Sequence, residues 1–440
     1  MNAFRRNLLF AGLMLMAFVA AGYKIFKHPP DSAFAVTVVN QSQLPKELPN
    51  QTPSYAQTPK LEAQFVSSNP GQAVHAPSIV ELRDGRLRAV WFSGSREGAG
   101  DVTVQTAVMN ANTGQWGAEA TLFSRQQLQR SLQRYVKKIG NPVIARAPDG
   151  SLHLWMVNVS LGGWAGSAIT WTRSEDDGAS WSQPKRLVTS PFLNISTLVK
   201  GAPVAMANGQ ISLPVYHEFV TKFSEVLRLS EDGRVIDKLR IPASQTSLQP
   251  VVLASSALSA QAFMRAGRGG QVMTSQTLDG GRSWSEAASL PVPNPDSALA
   301  GVVLQSGERW LALNPSKAGR DKLALINVSQ SGLMLVAVEP SDPQQNRAKP
   351  LSIKDHEAVM SLELTAKGAS SSEVQAYVAS AKRQLCGDVS CVQEFSYPYL
   401  LQSHDGMLHL VYTWNRSRIK YMRFDPSALS TVQVKLNGSN

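Results

Sequence analysis

From His75 to Asp425 the chain alternates short apolar runs with polar, glycine-containing turns. The runs LRAVWF, LHLWMV, ISLPVY, WLALN and LHLVYTW carry the β-branched and aromatic bias of strands. Each follows one family of turns: RDGRL at Gly85, PDGSL at Gly150, ANGQI at Gly209, QSGER at Gly307 and HDGML at Gly406. A second family, SEDDG at Gly178, SEDG at Gly233, LDGG at Gly281 and SQSG at Gly332, recurs every ~50 residues. Two turn families in a unit of ~50 residues imply four-stranded blades, and about six such units fit. The pattern predicts an all-β chain folded as a six-bladed β-propeller.

Two members of the second family share a fuller template, SEDDGASW and TLDGGRSW. In it Asp176 and Asp279 accept hydrogen bonds from their own turn's N–H groups. Gly178 and Gly281 supply positive φ, and Trp181 and Trp284 close the turn by packing on the next element. These Asp boxes are read as structural. Two stretches break the strand rhythm: residues 124–138, of helix-favouring composition, and an insertion at about 340–392. Within the insertion SSEVQAYVASAKRQL has helical spacing behind a Ser cap.

The N-terminus has a different texture. Arg5 and Arg6 precede the apolar run NLLFAGLMLMAFVAAGY, and Lys24 follows it. Residues 1–26 are therefore expected to be a signal peptide, cleaved near VAAG, or a transmembrane anchor. Residues 27–65, rich in Pro, Gln, Ser and Thr without periodicity, are expected to be a flexible tether, with residues 66–430 as the propeller. The protein is accordingly expected outside the cytoplasm, either anchored in the inner membrane and facing the periplasm or secreted, and as a monomer.

An apolar share of 43% supports a sizeable core, and 17% charged residues argue against global disorder. The net charge of +11 biases the surface toward anionic partners. No compact basic run or basic–aromatic stripe occurs, so nucleic acid is not expected as a partner. The two cysteines, Cys386 and Cys391 in CGDVSC, are expected to form a local disulfide in an oxidising compartment. The seven histidines show no metal-ligand spacing, and neither a metal nor an organic cofactor is expected.

The order of RAVWFSGSREGAGDVTV, IGNPVI, GAPVAMANGQISLPVYHE, AFMRAGRGGQVMTSQTLDGGRSW and EFSYPYLLQSHDGMLHLVYTWNRSRIKY resembles the sialidase (neuraminidase) superfamily, in its divergent bacterial Asp-box branch. That family binds a sugar carboxylate with three arginines. It uses a Tyr nucleophile, because a carboxylate nucleophile would be repelled there. A Glu takes the tyrosine's proton and a loop Asp serves as acid/base. The resemblance implies that Arg265 and Arg320 are the second and third arginines and Tyr397 the tyrosine. His75 stands where the first arginine belongs, and a His binds carboxylate weakly unless its pKa is raised. Gln249 stands in the place of the tyrosine's Glu partner. Glu218 in PVYHE, beside Tyr216 and His217, is a candidate substitute, and SGSREGAGD offers Arg96, Glu97 and Asp101 for binding and acid/base roles. Asn141 with Gly140 is read as a turn or a ligand contact, and Trp164 as a sugar platform or a loop anchor. The implied activity is exo-α-sialidase-type hydrolysis of an acidic glycan terminus. A non-catalytic carbohydrate-binding propeller and a hydrolase of a different sugar stay open beside it.

Overall fold

A computed structural model describes residues 10–16, 18–19, 32–36, 54–56, 62–190, 194–329, 334–339 and 350–429. Six antiparallel sheets follow one another along the chain. Blade 1 holds Ala73–Glu81, Leu87–Gly94, Thr103–Val108 and Ala120–Ser124; blade 2 holds Lys138–Arg146, Leu152–Val159, Ser167–Ser174 and Lys185–Arg186. In blade 3 the inner position is split into Leu198–Val199 and Val204–Ala205, both pairing with Ile211–His217, and Phe223–Leu229 and Val235–Arg240 lie outside. Blade 4 runs Ser247–Ala254, Ala260–Ala266, Gly270–Thr277 and Ala288–Asn294, and blade 5 runs Ala300–Val303, Arg309–Leu313, Leu323–Asn327 and Met334–Glu339. Blade 6 has Phe395–Gln402, Leu408–Trp414 and Arg418–Phe424, and its outer strand is Glu62–Phe65, from ahead of blade 1. That pairing closes the ring.

The strand runs read from the sequence are the second strands of blades 1, 2, 3, 5 and 6. In both Asp boxes the aspartate accepts from the backbone N–H four residues on, Ser180 to Asp176 at 2.8 Å and Ser283 to Asp279 at 2.9 Å. Gly178 and Gly281 have φ of 88° and 81°. The expected helix at 124–138 is shorter, Arg125–Leu132, because Gln133 turns left-handed with φ 48° and ends it. The insertion between blades 5 and 6 folds as Ile353–Ala366 and Ser371–Leu385, the second capped by Ser370 and Glu373. Cys386 and Cys391 are disulfide-bonded directly after it.

The expected tether is corrected at three places. Phe34 is 2% exposed, and Ala35 N donates to Ala205 O at 2.9 Å. Its ring lies against Gly281 of the second Asp box, which ties Ser32–Val36 between blades 3 and 4. Ser54–Ala56 adds a parallel fifth strand to blade 5, and Glu62–Phe65 closes blade 6. The rest of the expected tether and of the expected signal or anchor lies outside the described residues, apart from exposed helical residues at 10–16 and 18–19. No helix among the described residues is long and apolar enough to cross a membrane.

Four of the inner strands carry a register shift near their N-terminal end: His75/Ser78, Gly140/Val143, Leu248/Val251 and Ser396/Tyr399. At each shift one residue is left-handed, Ala76 (φ 52°), Asn141 (42°), Gln249 (50°) or Tyr397 (54°), and a proline follows. Proline has no N–H for the ladder, so it sits where the bulge has already interrupted pairing. The bulges re-aim Asn141, Gln249 and Tyr397 so that they meet at one end of the axis.

Candidate active site

Gln249 Nε2 donates to Tyr397 Oη at 3.2 Å and to Tyr216 Oη at 3.3 Å. Its Oε1 accepts from Arg265 Nη1 at 2.9 Å. Arginine can only donate, so this bond fixes the amide's orientation and leaves its NH2 facing the two tyrosines. Asn141 Nδ2 adds a bond to Tyr216 Oη at 3.2 Å, and Arg265 Nη1 approaches Tyr397 Oη at 3.4 Å. Both donors aimed at Tyr397 Oη are nitrogens, and a tyrosine oxygen so placed is set up to accept.

Three guanidiniums form a chain that starts at this hydroxyl pair and is joined through Asp296 and Glu394. Arg265, at the end of a blade 4 strand, pairs with Asp296 at 2.6 Å. Arg320 donates to the Asp296 carbonyl at 3.0 Å and pairs with Glu394 at 3.3 Å; its guanidinium is 6.0 Å from the Tyr397 ring centroid. Arg320 is held locally because Phe395 N donates to its carbonyl at 2.8 Å. The third is Arg416, in the hairpin between the last two strands of blade 6, which pairs through Nε with Glu394 and through Nη1 with Glu97, both at 2.9 Å. Burial would raise the Glu394 carboxyl, but Arg416 and Arg320 together hold it below the usual carboxylate range. Arg265 and Arg416 are both held above their ordinary range: burial opposes the charge, and their anionic neighbours more than offset it.

The structure thus brings Arg265, Arg320, Gln249 and Tyr397 together, with Glu97 joined through Arg416. His75 is placed differently from the expectation. It is 2% exposed, its ring centroid lies 4.1 Å from that of Tyr397, and neither ring nitrogen has a hydrogen-bond partner among the described residues. Burial, then the charges of Arg416, Arg320, Lys200 and Arg265, push its pKa well below the usual value. It is a neutral packing group under the tyrosine and cannot stand in for a carboxylate-binding cation. A guanidinium from the other end of the chain lies nearby: the Arg416 carbonyl accepts from Val74 N at 2.9 Å, beside His75.

Glu218 is half-buried, with its backbone N donating to Ser196 Oγ at 2.8 Å. Burial raises its pKa, and Arg265, Asp296 and Glu97 are close enough to affect it. No hydrogen bond joins Glu218 to Tyr397 among the described residues. Asp101 is exposed and caps its own loop, accepting from Ser95 N at 2.9 Å, so it is a turn-former, and among the described residues no hydrogen bond or ion pair joins it to the cluster. Arg96, on the same loop, is also exposed and makes no ion pair among the described residues. Trp164 packs its ring on Gly140, where a Cβ would lie 2.9 Å from it, and Lys138 Nζ sits 5.7 Å from the same ring. The tryptophan thereby anchors its loop beside Asn141.

Arg416, Glu394, Asp296 and Lys200 are the site residues that sequence reasoning misses. A signal was available for the first two, because both fall within the blade 6 segment that carries the resemblance. The one grouping of metal-type donors among the described residues is His356 with Cys386 and Cys391, within 4.8 Å, and its sulfurs are bonded to each other. The spacing of the histidines gave no hint of His356 at that place.

The sequence profile of the BNR repeat-like domain matches residues 85–410, more than half of the chain. The chain belongs to the BNR repeat-like family. Solved structures with the same fold as this BNR-repeat chain include the Hadza microbial sialidase Hz136, at 14% identity and TM-score 0.57, over 81% of this chain and 66% of that one. A protein of unknown function from Dyadobacter fermentans is 12% identical with TM-score 0.58, over 83% and 98%. The intramolecular trans-sialidase of Ruminococcus gnavus, solved with oseltamivir carboxylate, is 12% identical with TM-score 0.55, over 84% and 96%. No curated protein sequence matches the chain.

Proposed function

We propose that this BNR-repeat propeller is a glycoside hydrolase of exo-α-sialidase type, acting on an acidic sugar at a glycan terminus. The observation that carries the reading is the chain of Arg265, Arg320 and Arg416, drawn from blades 4, 5 and 6, in which Arg265 bonds the Tyr397 hydroxyl, Arg320 lies 6.0 Å from its ring centroid and Arg416 shares Glu394 with Arg320. Arg265 and Arg320 flank Asp296, and Arg320 and Arg416 share Glu394, so the three guanidiniums are pre-ordered for forked bonds to a carboxylate. In the proposed reaction the Tyr397 hydroxyl gives its proton to solvent water, its oxygen forms the bond to the anomeric carbon as the glycosidic C–O bond breaks, and water then displaces the tyrosine oxygen from that carbon to release the sugar. The departing glycosidic oxygen takes a proton from a carboxylic acid. Glu218 is assigned that role, since burial favours its protonated form. Glu97 orients Arg416.

A second reading rests on Gln249. The amide against Tyr397 cannot take a proton, so a propeller that binds acidic glycans without turnover fits the same arginines. A panel of fluorogenic glycosides including an α-sialoside separates the two. Turnover of the α-sialoside alone supports the hydrolase, and saturable binding without turnover supports the second reading. The basic start and apolar run of residues 1–26 and the disulfide support action outside the cytoplasm, anchored or secreted, and the protein is taken to act as a monomer. Cell fractionation and sedimentation test that placement.

A further inference from the structure

Lys200 is a charged side chain that the proposed reaction does not yet use. It sits at the axis, 2% exposed, in the inner strand position of blade 3. Its Nζ donates to the Pro398 carbonyl at 3.0 Å and lies 5.8 Å from the Tyr397 ring centroid and 5.3 Å from that of Tyr399. Each arginine of the cluster has a carboxylate partner, whereas Lys200 has none among the described residues. An ammonium buried without a counter-charge is costly unless some state of the protein supplies one. The groups facing it are Tyr397 and Tyr399 of blade 6 and His75 of blade 1; Val251, Leu299 and Ala300 of blades 4 and 5 complete an apolar surround. The neutral His75 and the Tyr399 hydroxyl, which donates to Ile144 O at 3.3 Å, offer no negative charge. The nucleophile does.

We propose that Lys200 is a positioning residue acting through Tyr397: its unpaired charge stabilises the anionic, nucleophilic oxygen left when that tyrosine gives its proton to solvent water, where Gln249 stands in place of a carboxylate that would take the proton. The inference rests on the role proposed for Tyr397. Its bond to the Pro398 carbonyl also holds the left-handed Tyr397–Pro398 step that aims the phenol. Burial lowers the Lys200 pKa to about 7, so the charge is present below neutrality and lost as pH rises through that value. In a site that works this way, turnover has an alkaline limb.

The test compares the full-length protein with Lys200→Met, and reads both turnover and the chemistry of Tyr397 itself. On the α-sialoside, Lys200→Met is expected to lower kcat about 10- to 100-fold, the order expected of a unit charge beside the phenol ring in a half-screened site, with KM nearly unchanged and the alkaline limb gone. Independently of turnover, acylation of Tyr397 by N-acetylimidazole, located by peptide mass spectrometry, is expected to slow by a similar factor. A protein without turnover whose Tyr397 labelling still depends on Lys200 sinks the hydrolase reading and keeps this one. Equal labelling rates, or equal and measurable kcat, in the two proteins overturn it. If Lys200→Met does not fold, the wild type decides alone: Tyr397 must react faster than the exposed Tyr135, and slower labelling overturns the proposal.

Discussion

Replacing Gln249 by Glu returns a carboxylate to the one place where the site lacks it. Gln249 Oε1 already accepts from Arg265 at 2.9 Å, and the new carboxylate keeps that bond. Its second oxygen occupies the position of Nε2, 3.2 Å from Tyr397 Oη and 3.3 Å from Tyr216 Oη, and the hydroxyls become donors to it. A positioned general base is worth about 10²–10⁴ in rate. Part of that is offset, because the carboxylate also neutralises the Arg265 charge beside the nucleophile, so a net gain of about 10- to 1,000-fold in kcat on the α-sialoside is expected. Ion pairing to Arg265 offsets the burial of the new charge, and the change in stability is expected to stay within about 2 kcal/mol. Initial rates from pH 4 to 9, with thermal unfolding on the same samples, check both figures. The variant should also acquire an acidic limb, since the introduced carboxyl must be ionised to act. A folded variant whose kcat equals or falls below that of the wild type throughout would refute the assignment of Gln249 as the missing base.

Arg416→Met is expected to weaken binding of an acidic sugar about 10- to 100-fold by calorimetry, the loss of a charge-assisted pair, and to lower the melting temperature because it leaves the buried Glu394 with Arg320 alone. Unchanged affinity would remove it from the site. Phe34→Ala should cost about 3–5 kcal/mol in urea unfolding if Ser32–Val36 is part of the propeller, as its burial indicates, and nothing if that segment is only a tether. Burial raises the Glu218 pKa above its ordinary 4.5, so its contribution to stability is present below that value and is lost as pH rises through the folded pKa. Glu218→Gln should therefore gain in relative stability from pH 4 to 7, and a flat difference would place Glu218 in water.

The fold is legible because both turn families and the strand texture recur in most of the blades, and repetition averages out local ambiguity. Tyr397, Arg265 and Gln249 are legible because each lies in a local motif, beside a bulge proline or just ahead of an Asp box. The prolines after Ala76, Asn141, Gln249 and Tyr397 form a repeat of their own, which marks the axial ends of four inner strands. Arg416 is hard to see because its role depends on ring closure: blade 6 abuts blade 1, and an arginine near the end of the chain fills the gap beside His75 near its start. His75 misleads for the same reason, since its position matches an arginine's while its burial forbids the charge. Asp296 and Glu394 are defined by the arginines they hold, and pairing across blades leaves no trace in residue spacing. Asp101 looks like an acid/base on a loop, but its carboxylate is committed to the turn at Ser95.

The most direct test of the account is peptide mass spectrometry of the protein quenched during turnover of an activated α-sialoside. The account expects a glycosyl adduct on Tyr397 in the wild type, and neither adduct nor turnover in Tyr397→Phe. Turnover that persists in Tyr397→Phe, with no adduct on the wild-type tyrosine, would contradict it.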